Sequence, residues 1–282
     1  GPTAAGKTAL GGELAGRLGG EVVSADAFAV YRGLDIGTAK PGAAERAAVP
    51  HHLIDVADPS DTYSAGMFVR DADAAIAAIR GRGRVPIVVG GTLFYLQSLL
   101  RGLFPEPERL AGLREHLRSA WAADPETLRR WLGLLDPGAA ARIAAADQQR
   151  VVRALEVALT AGRPMTELWR REPQRPPRYR ALVIGVALQR EVLRARIAAR
   201  VARMFAAGLL AEVRGLLDSG VPAGAHAMKA IGYRECCEVL AGRILERERK
   251  TAPDLIVIAT QGRRGLDRWL LGSVAEKVVR HA

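Results

Sequence analysis

The sequence predicts an α/β protein: a parallel sheet core flanked by helices and interrupted by an all-helical insertion. Three observations carry this reading. The chain opens Gly1-Pro2-Thr3-Ala4-Ala5-Gly6-Lys7-Thr8, the G-x-x-x-x-G-K-[ST] pattern of a phosphate loop set between a strand and a helix. Apolar runs then alternate with segments of helical periodicity, the rhythm of a doubly wound sheet. From residue 106 the chain turns rich in alanine and arginine, with helical spacing and no convincing strand until residue 181.

The elements follow in order. Residues 7–18 place Leu10, Leu14 and Leu18 at helical spacing; Gly11 and Gly12 each weaken that helix by about 1 kcal/mol. The chain starts at the loop, without an initiator Met, so the strand that precedes such a loop is expected to have been truncated. Residues 21–24 read as a short buried strand ending at Asp26. A looped polar stretch follows over 31–59. Residues 66–82 form a helix, with Met67, Ala74, Ile76 and Ile79 as its apolar positions. Residues 85–89 form a continuous apolar run that ends in Gly90-Gly91-Thr92, as expected of a parallel strand buried on both faces. A helix follows over 94–100. Pro105-Glu106-Pro107 breaks the pattern. Residues 171–180, with Pro173, Pro176 and Pro177, read as a linker. Residues 181–188 read as a further apolar strand, and the rest is mostly helical. Residues 1–105 and 176–282 are therefore assigned to a P-loop core and 106–175 to a helical insertion.

Composition narrows the classes. Of 282 residues 49% are hydrophobic, enough for a substantial core. No run reaches the roughly 18 apolar residues of a membrane span, and no signal peptide is visible, so a cytoplasmic protein is expected. Cys236 and Cys237 are adjacent, which suits packing better than a disulfide framework or a metal knuckle. The net charge is +11 and unevenly spread: residues 1–105 carry ten basic and ten acidic side chains, residues 106–282 carry 31 and 20. A phosphate-rich polymer is the natural partner of such a surface. Arginine enrichment from a GC-rich genome would have raised the first 105 residues too.

The candidate chemistry lies beyond the carboxyl ends of the strands, where open α/β sheets bind ligands. Backbone N–H groups of Gly1, Pro2, Thr3, Ala4, Ala5, Gly6, Lys7 and Thr8 that remain free in the loop would cradle a di- or triphosphate (Pro2 contributes no N–H), Lys7 would reach the distal phosphate, and Thr8 would bind Mg²⁺. Asp26 and Thr92 fall in the same crevice. The strand over 85–89 ends without the metal-organising Asp of many ATP users. Asp26 fits two roles, a proton acceptor or a cap on the segment after it. Thr92 likewise suits a helix cap.

The blocks GPTAAGKT (1–8), SADAFAVYRGLDIGTAKP (24–41), HHLIDVADPSDTYSAGMF (51–68), IVVGGTLFYLQSLLRGL (87–103), DQQRVVRALEV (147–157) and MKAIGYRE (228–235) together resemble the bacterial tRNA dimethylallyltransferases, also called tRNA isopentenyltransferases. They occur in family order over nearly the whole chain. The resemblance implies transfer of a dimethylallyl group from dimethylallyl diphosphate to the exocyclic amine of the adenosine 3′ of the anticodon, with Mg²⁺ and release of diphosphate. It implies that Asp26 is the proton acceptor, that Lys7 steadies the leaving group, and that Thr92 contacts the target nucleotide. It maps tRNA contacts onto Asp26, Ala27, Phe28 and Ala29; onto Gln149, Arg150, Val151, Val152 and Arg153; onto Lys229 to Arg234; onto Arg263, Arg264, Arg268 and Trp269; and onto Arg114. Arg196 and Arg200, one helical turn apart, are assigned to the diphosphate. The insertion would bind the tRNA anticodon stem-loop, and a monomer is expected.

The chain departs from the family in places. Ala27 and Ala29 stand where members often carry Ser and Gln, which removes a hydroxyl and an amide from base recognition. Ala5 replaces a common serine in the phosphate loop. The segment 260–269 keeps charge and Trp269 but changes register. Two other reactions compete: prenylation of free AMP or ATP, and a small-molecule kinase using ATP. A third alternative is an RNA-binding module with a vestigial phosphate loop. The basic insertion opposes the first, the missing strand-end acid the second, and the intact Lys7, Thr8, Asp26 and Thr92 the third.

Overall fold

The computed structural model describes residues 1–103, 110, 112–171 and 176–242. The chain divides into two compact units, the first Gly1–Ser98 with Leu182–Ala282 and the second Leu99–Ala181. The unit borders lie a few residues outside the 105/106 and 175/176 borders read from composition.

In the first unit, α1 (Lys7–Leu18) leaves the phosphate loop and runs to β1 (Glu21–Ser24). After α2 (Ala43–Ala48) comes β2 (His51–His52), then α3 (Ala65–Gly81), β3 (Pro86–Val89) and α4 (Leu93–Arg101). The strands pair in the order β2-β1-β3, all parallel, with Val22 opposite His51 and Ile87. Parallel strands need crossover connections; the one from β1 to β2 contains α2 and the one from β2 to β3 contains α3. α3 starts where Ser64 Oγ accepts the Met67 N–H at 3.2 Å, and it buries Phe68, Ala72, Ile76 and Ile79 at helical spacing. Gly11 costs α1 propensity but permits close packing: a Cβ there would sit 2.3 Å from Val89 Cγ2.

The second unit is helical. It contains α5 (Leu113–Ala123), α6 (Pro125–Leu135), α7 (Pro137–Arg142), α8 (Gln148–Ala161) and α9 (Met165–Arg171). Leu117, Leu128, Leu132, Val151 and Leu155 form its core. Asp124, Asp136 and Asp147 cap α6, α7 and α8, and Pro125 and Pro137 stand at first helical positions. Beyond it, in the first unit, come α10 (Arg190–Ala206), α11 (Leu209–Asp218), a 3-10 turn (Ala227–Lys229) and α12 (Tyr233–Leu240).

Three sequence expectations are corrected. The strand over 85–89 is only half-buried, not buried on both faces. The stretch 31–59 is not all loop: it holds α2 and β2. Residues 181–188 form no strand, and Leu182, Val183 and Ile184 are exposed. An apolar run becomes a strand only by pairing, and this run pairs with none of the three strands. No helix among the described residues is long and apolar enough to cross a membrane.

Glu21 on β1 is a buried carboxylate held by two arginines and a histidine. Arg82 Nη2 lies 2.7 Å away, His52 Nε2 2.6 Å and Arg84 Nη1 3.6 Å. Hydrogen bonds first from Arg82 and then from His52 outweigh burial and hold its pKa down to about 2, against an ordinary 4.5. A depressed carboxylate stabilises the fold above the unfolded value and loses that contribution as pH falls through the folded one. Glu21→Gln is therefore expected to lower Tm at neutral pH and to flatten its decline between pH 4.5 and 2. Parallel Tm curves for the two proteins would contradict the ion pairing.

Candidate active site

The phosphate loop turns through two left-handed residues, Ala4 at φ +62° and Gly6 at φ +91°. It ends at the N-terminus of α1, where free N–H groups and the helix dipole favour an anion. Lys7 arches back over the loop, its Nζ donating to the carbonyl oxygens of Gly1 at 3.0 Å and Pro2 at 2.7 Å. A Cβ on Gly91 would lie 3.6 Å from that Nζ, so the ammonium sits against this glycine. Burial lowers the Lys7 pKa, the Arg200 guanidinium lowers it further, and Asp26 opposes both. Lys7, Arg200 and Asp26 thus share one electrostatic environment. They line a cavity of about 830 Å³ together with Thr8, Gly91 and Arg196. Arg196 reaches Gly6, with Nη1 3.9 Å from where a Cβ would stand there.

Asp26 follows β1. Its Oδ1 accepts the N–H groups of Phe28 at 2.9 Å and Ala29 at 3.1 Å. The capping role is therefore present, and the second oxygen has no hydrogen-bond partner among the described residues. A cap through one oxygen and proton acceptance through the other are compatible. Thr92 Oγ1 accepts the Ala27 N–H at 3.0 Å, and the Thr92 carbonyl accepts the Leu96 N–H at 3.2 Å as α4 begins. Thr92 thereby fixes the turn that carries Asp26; it does not itself line the cavity. Phe28 stacks on His226 with ring centroids 6.0 Å apart, and His226 Nδ1 lies 2.9 Å from Tyr31 Oη. Burial, and then Lys229, lower the His226 pKa, favouring the neutral ring.

The residues assigned to RNA fare unevenly. Gln149 and Arg150 are exposed at the start of α8, where Arg150 lies 3.3 Å from Asp147. Val151 and Val152 are buried in the helical core, so their side chains are unavailable to an RNA; this part of the expectation is corrected. Arg114 and Arg153 converge on Glu156, a buried carboxylate, at 2.6 and 2.7 Å. A buried charge needs partners, and these arginines supply them. Lys229 is exposed, and Arg234 is half-exposed and pairs with Glu235 at 2.6 Å. Arg263, Arg264, Arg268 and Trp269 lie outside the described residues.

Sequence reasoning gave no separate role to the wall facing the loop. Asp35, Thr38 and Lys40 line the cavity there, as does Arg203, one turn beyond Arg200. Lys40 is nearly buried and spans Tyr31 O at 2.6 Å, Asp35 Oδ1 at 2.7 Å and Asp55 Oδ1 at 2.5 Å. The period of α10, which carries Arg196, Arg200 and Arg203, was the available signal for the last.

A divalent ion fits this donor set in one manner. Thr8 brings a hydroxyl and Asp26 a carboxylate to the same cavity. Among the described residues no three His, Cys, Asp or Glu side chains cluster as a metal cage. Such a sparse set suits an ion that takes its remaining ligands from water and phosphate oxygens.

A phosphate loop facing a carboxylate at the end of a parallel strand, with arginines on a helix beside both, defines an α/β enzyme of group transfer from a phosphorylated donor. The model of the IPP transferase family matches residues 29–262, and the chain belongs to that family. It is 51% identical to the tRNA dimethylallyltransferase of Thermomicrobium roseum over 249 residues, 86% of this chain and 74% of that one. It is 54% identical over 217 residues to the tRNA dimethylallyltransferase of an Anaeromyxobacter species, covering 77% and 72%. Among solved structures it resembles the full-length tRNA isopentenylpyrophosphate transferase of Bacillus halodurans, with TM-score 0.62, 38% identity and coverage of 88% and 78%. It also resembles a eukaryotic dimethylallyltransferase acting on tRNA, with TM-score 0.74, 27% identity and coverage of 89% and 64%.

Proposed function

We propose that this chain transfers the dimethylallyl group of dimethylallyl diphosphate to the exocyclic amine of the adenosine 3′ of the anticodon in tRNA. The observation that carries the reading is the single cavity onto which the phosphate loop and Asp26 both open. The adenine nitrogen forms a bond to the allylic carbon as that carbon's bond to the diphosphate oxygen breaks. The amine is a poor nucleophile because its lone pair is delocalised, so loss of its proton to the free oxygen of Asp26 assists the new bond. Negative charge builds on the departing diphosphate. The loop N–H groups, Lys7, Arg196 and Arg200 stand where they would stabilise it. Mg²⁺, held in part by Thr8, would neutralise further charge on the diphosphate. Thr92 fixes the turn that presents Asp26.

The target base must leave its stack to reach such a cavity, and RNA is read most readily at loops whose bases can be splayed out. Gln149, Arg150, Lys229 and Arg234 are the exposed candidates for anticodon-stem contact, and the chain would act as a monomer. Prenylation of free nucleotides leaves the basic excess after residue 105 without a use. The relatives named above favour tRNA over that reaction and over a kinase.

The test supplies labelled dimethylallyl diphosphate and Mg²⁺ with unmodified tRNA, AMP or ATP as acceptor. Label is expected in tRNA alone. Incorporation into AMP alone would defeat the tRNA reading, and label in neither would defeat the transfer.

A further inference from the structure

The block Met228–Glu235, whose stretch Lys229 to Arg234 was assigned to RNA contact, has half of its residues facing inward. Met228, Ala230, Tyr233 and Glu235 are buried. Tyr233 Oη lies 2.5 Å from Glu212 Oε1 and accepts the Gly37 N–H at 3.1 Å. Burial first, then the neighbouring Glu212 carboxylate, raise the Tyr233 pKa, so the phenol keeps its proton and donates it to Glu212. The same carboxylate accepts the N–H groups of Asp35 at 3.1 Å and Ile36 at 2.9 Å. Three successive amides, 35 to 37, are thus held by two side chains from α11 and α12. A Cβ on Gly37 would stand 2.3 Å from the Tyr233 ring, so the contact is close as well as polar.

The pinned segment reaches the cavity directly. Asp35 and Thr38 line it. The Thr38 carbonyl accepts from Arg200 Nη2 at 3.4 Å. Lys40 ties the far end of the same loop to Asp35 and Asp55. Arg200, half-exposed on α10, thus rests against the carbonyl of a residue that lines the same cavity.

We propose that Glu212 and Tyr233 are positioning residues for the donor: they brace residues 35–38 as a cavity wall, and that wall sets the Arg200 guanidinium toward the diphosphate. The inference rests on the reaction proposed above and assigns part of the Met228–Glu235 block to the donor rather than to RNA.

Tyr233→Phe removes one oxygen and keeps the ring beside Gly37. In the full chain it is expected to raise the KM for dimethylallyl diphosphate roughly tenfold, the scale of losing a hydrogen bond to a charged partner. The KM for tRNA and kcat should stay near wild type. Affinity for inorganic diphosphate, titrated without tRNA and well below each protein's Tm, should fall by the same factor. Glu212→Gln carries the same test should the first variant be insoluble. The double variant should be no worse than the more severe single change, because the two groups act as one unit. A lower Tm with unchanged diphosphate affinity and donor KM would overturn the proposal. So would a rise in the tRNA KM alone, which is the signature of RNA contact. Wild-type transfer to tRNA tests the reaction separately: loss of diphosphate affinity in Tyr233→Phe would uphold the brace even if another acceptor proved correct.

Discussion

Asp26→Asn is expected to lower turnover by about 10²-fold or more, the scale of losing a general base, while the KM for dimethylallyl diphosphate stays near wild type. The substitution is informative because of how the turn is built. Asparagine retains an Oδ1 acceptor for the Phe28 and Ala29 N–H groups, so the turn and its support from Thr92 should persist. Only the charge and the ability to take a proton are lost. Asp26→Ala would remove the cap as well, and its lower activity would mix two causes. Steady-state kinetics with Tm beside them separates these cases. Near-wild-type turnover in Asp26→Asn would leave Asp26 a structural cap and move proton acceptance elsewhere.

Lys7→Met should lower kcat/KM for the diphosphate donor by about 10²- to 10³-fold, the loss seen when one preorganised donor to developing negative charge is removed. Its Nζ is already at the loop, bonded to Gly1 and Pro2 carbonyl oxygens, and an anion in the loop would exchange those for charge-assisted bonds. Methionine keeps the length of the stem, so the effect reads the charge. The KM for tRNA should change little. Single-turnover transfer distinguishes a slowed chemical step from weakened donor binding. A wild-type rate would remove Lys7 from the chemistry and leave it a clasp on the loop.

Much of the core was legible because its elements carry strong periodic signals. The apolar spacing of residues 7–18 and the run of 85–89, interrupted only by Pro86, marked α1 and β3 to within a residue. β2 was not legible: two histidines carry no apolar run, and they are a strand only because β1 offers them an edge. The run at 181–188 failed for the converse reason, an apolar signal without a pairing partner. At the site, Asp26 and the phosphate loop stood out because their chemistry is local in sequence. Arg114 and Arg153 were assigned to tRNA, since nothing local announces that Glu156, buried on α8, gathers both. Glu212 gave no signal at all. It is one carboxylate on an amphipathic helix, and its partners, the amides of Asp35 and Ile36, lie 177 and 176 residues away. Side chains that bind distant backbone leave no periodic trace.

The most direct test of the shared cavity is to digest tRNA after reaction with labelled dimethylallyl diphosphate, locate the allyl group by mass spectrometry, and count the diphosphate released. One allyl group on the exocyclic amine of the adenosine 3′ of the anticodon, matched by one diphosphate, is the predicted result. Diphosphate released without an allylated nucleoside, or an allyl group at another position, would contradict the account.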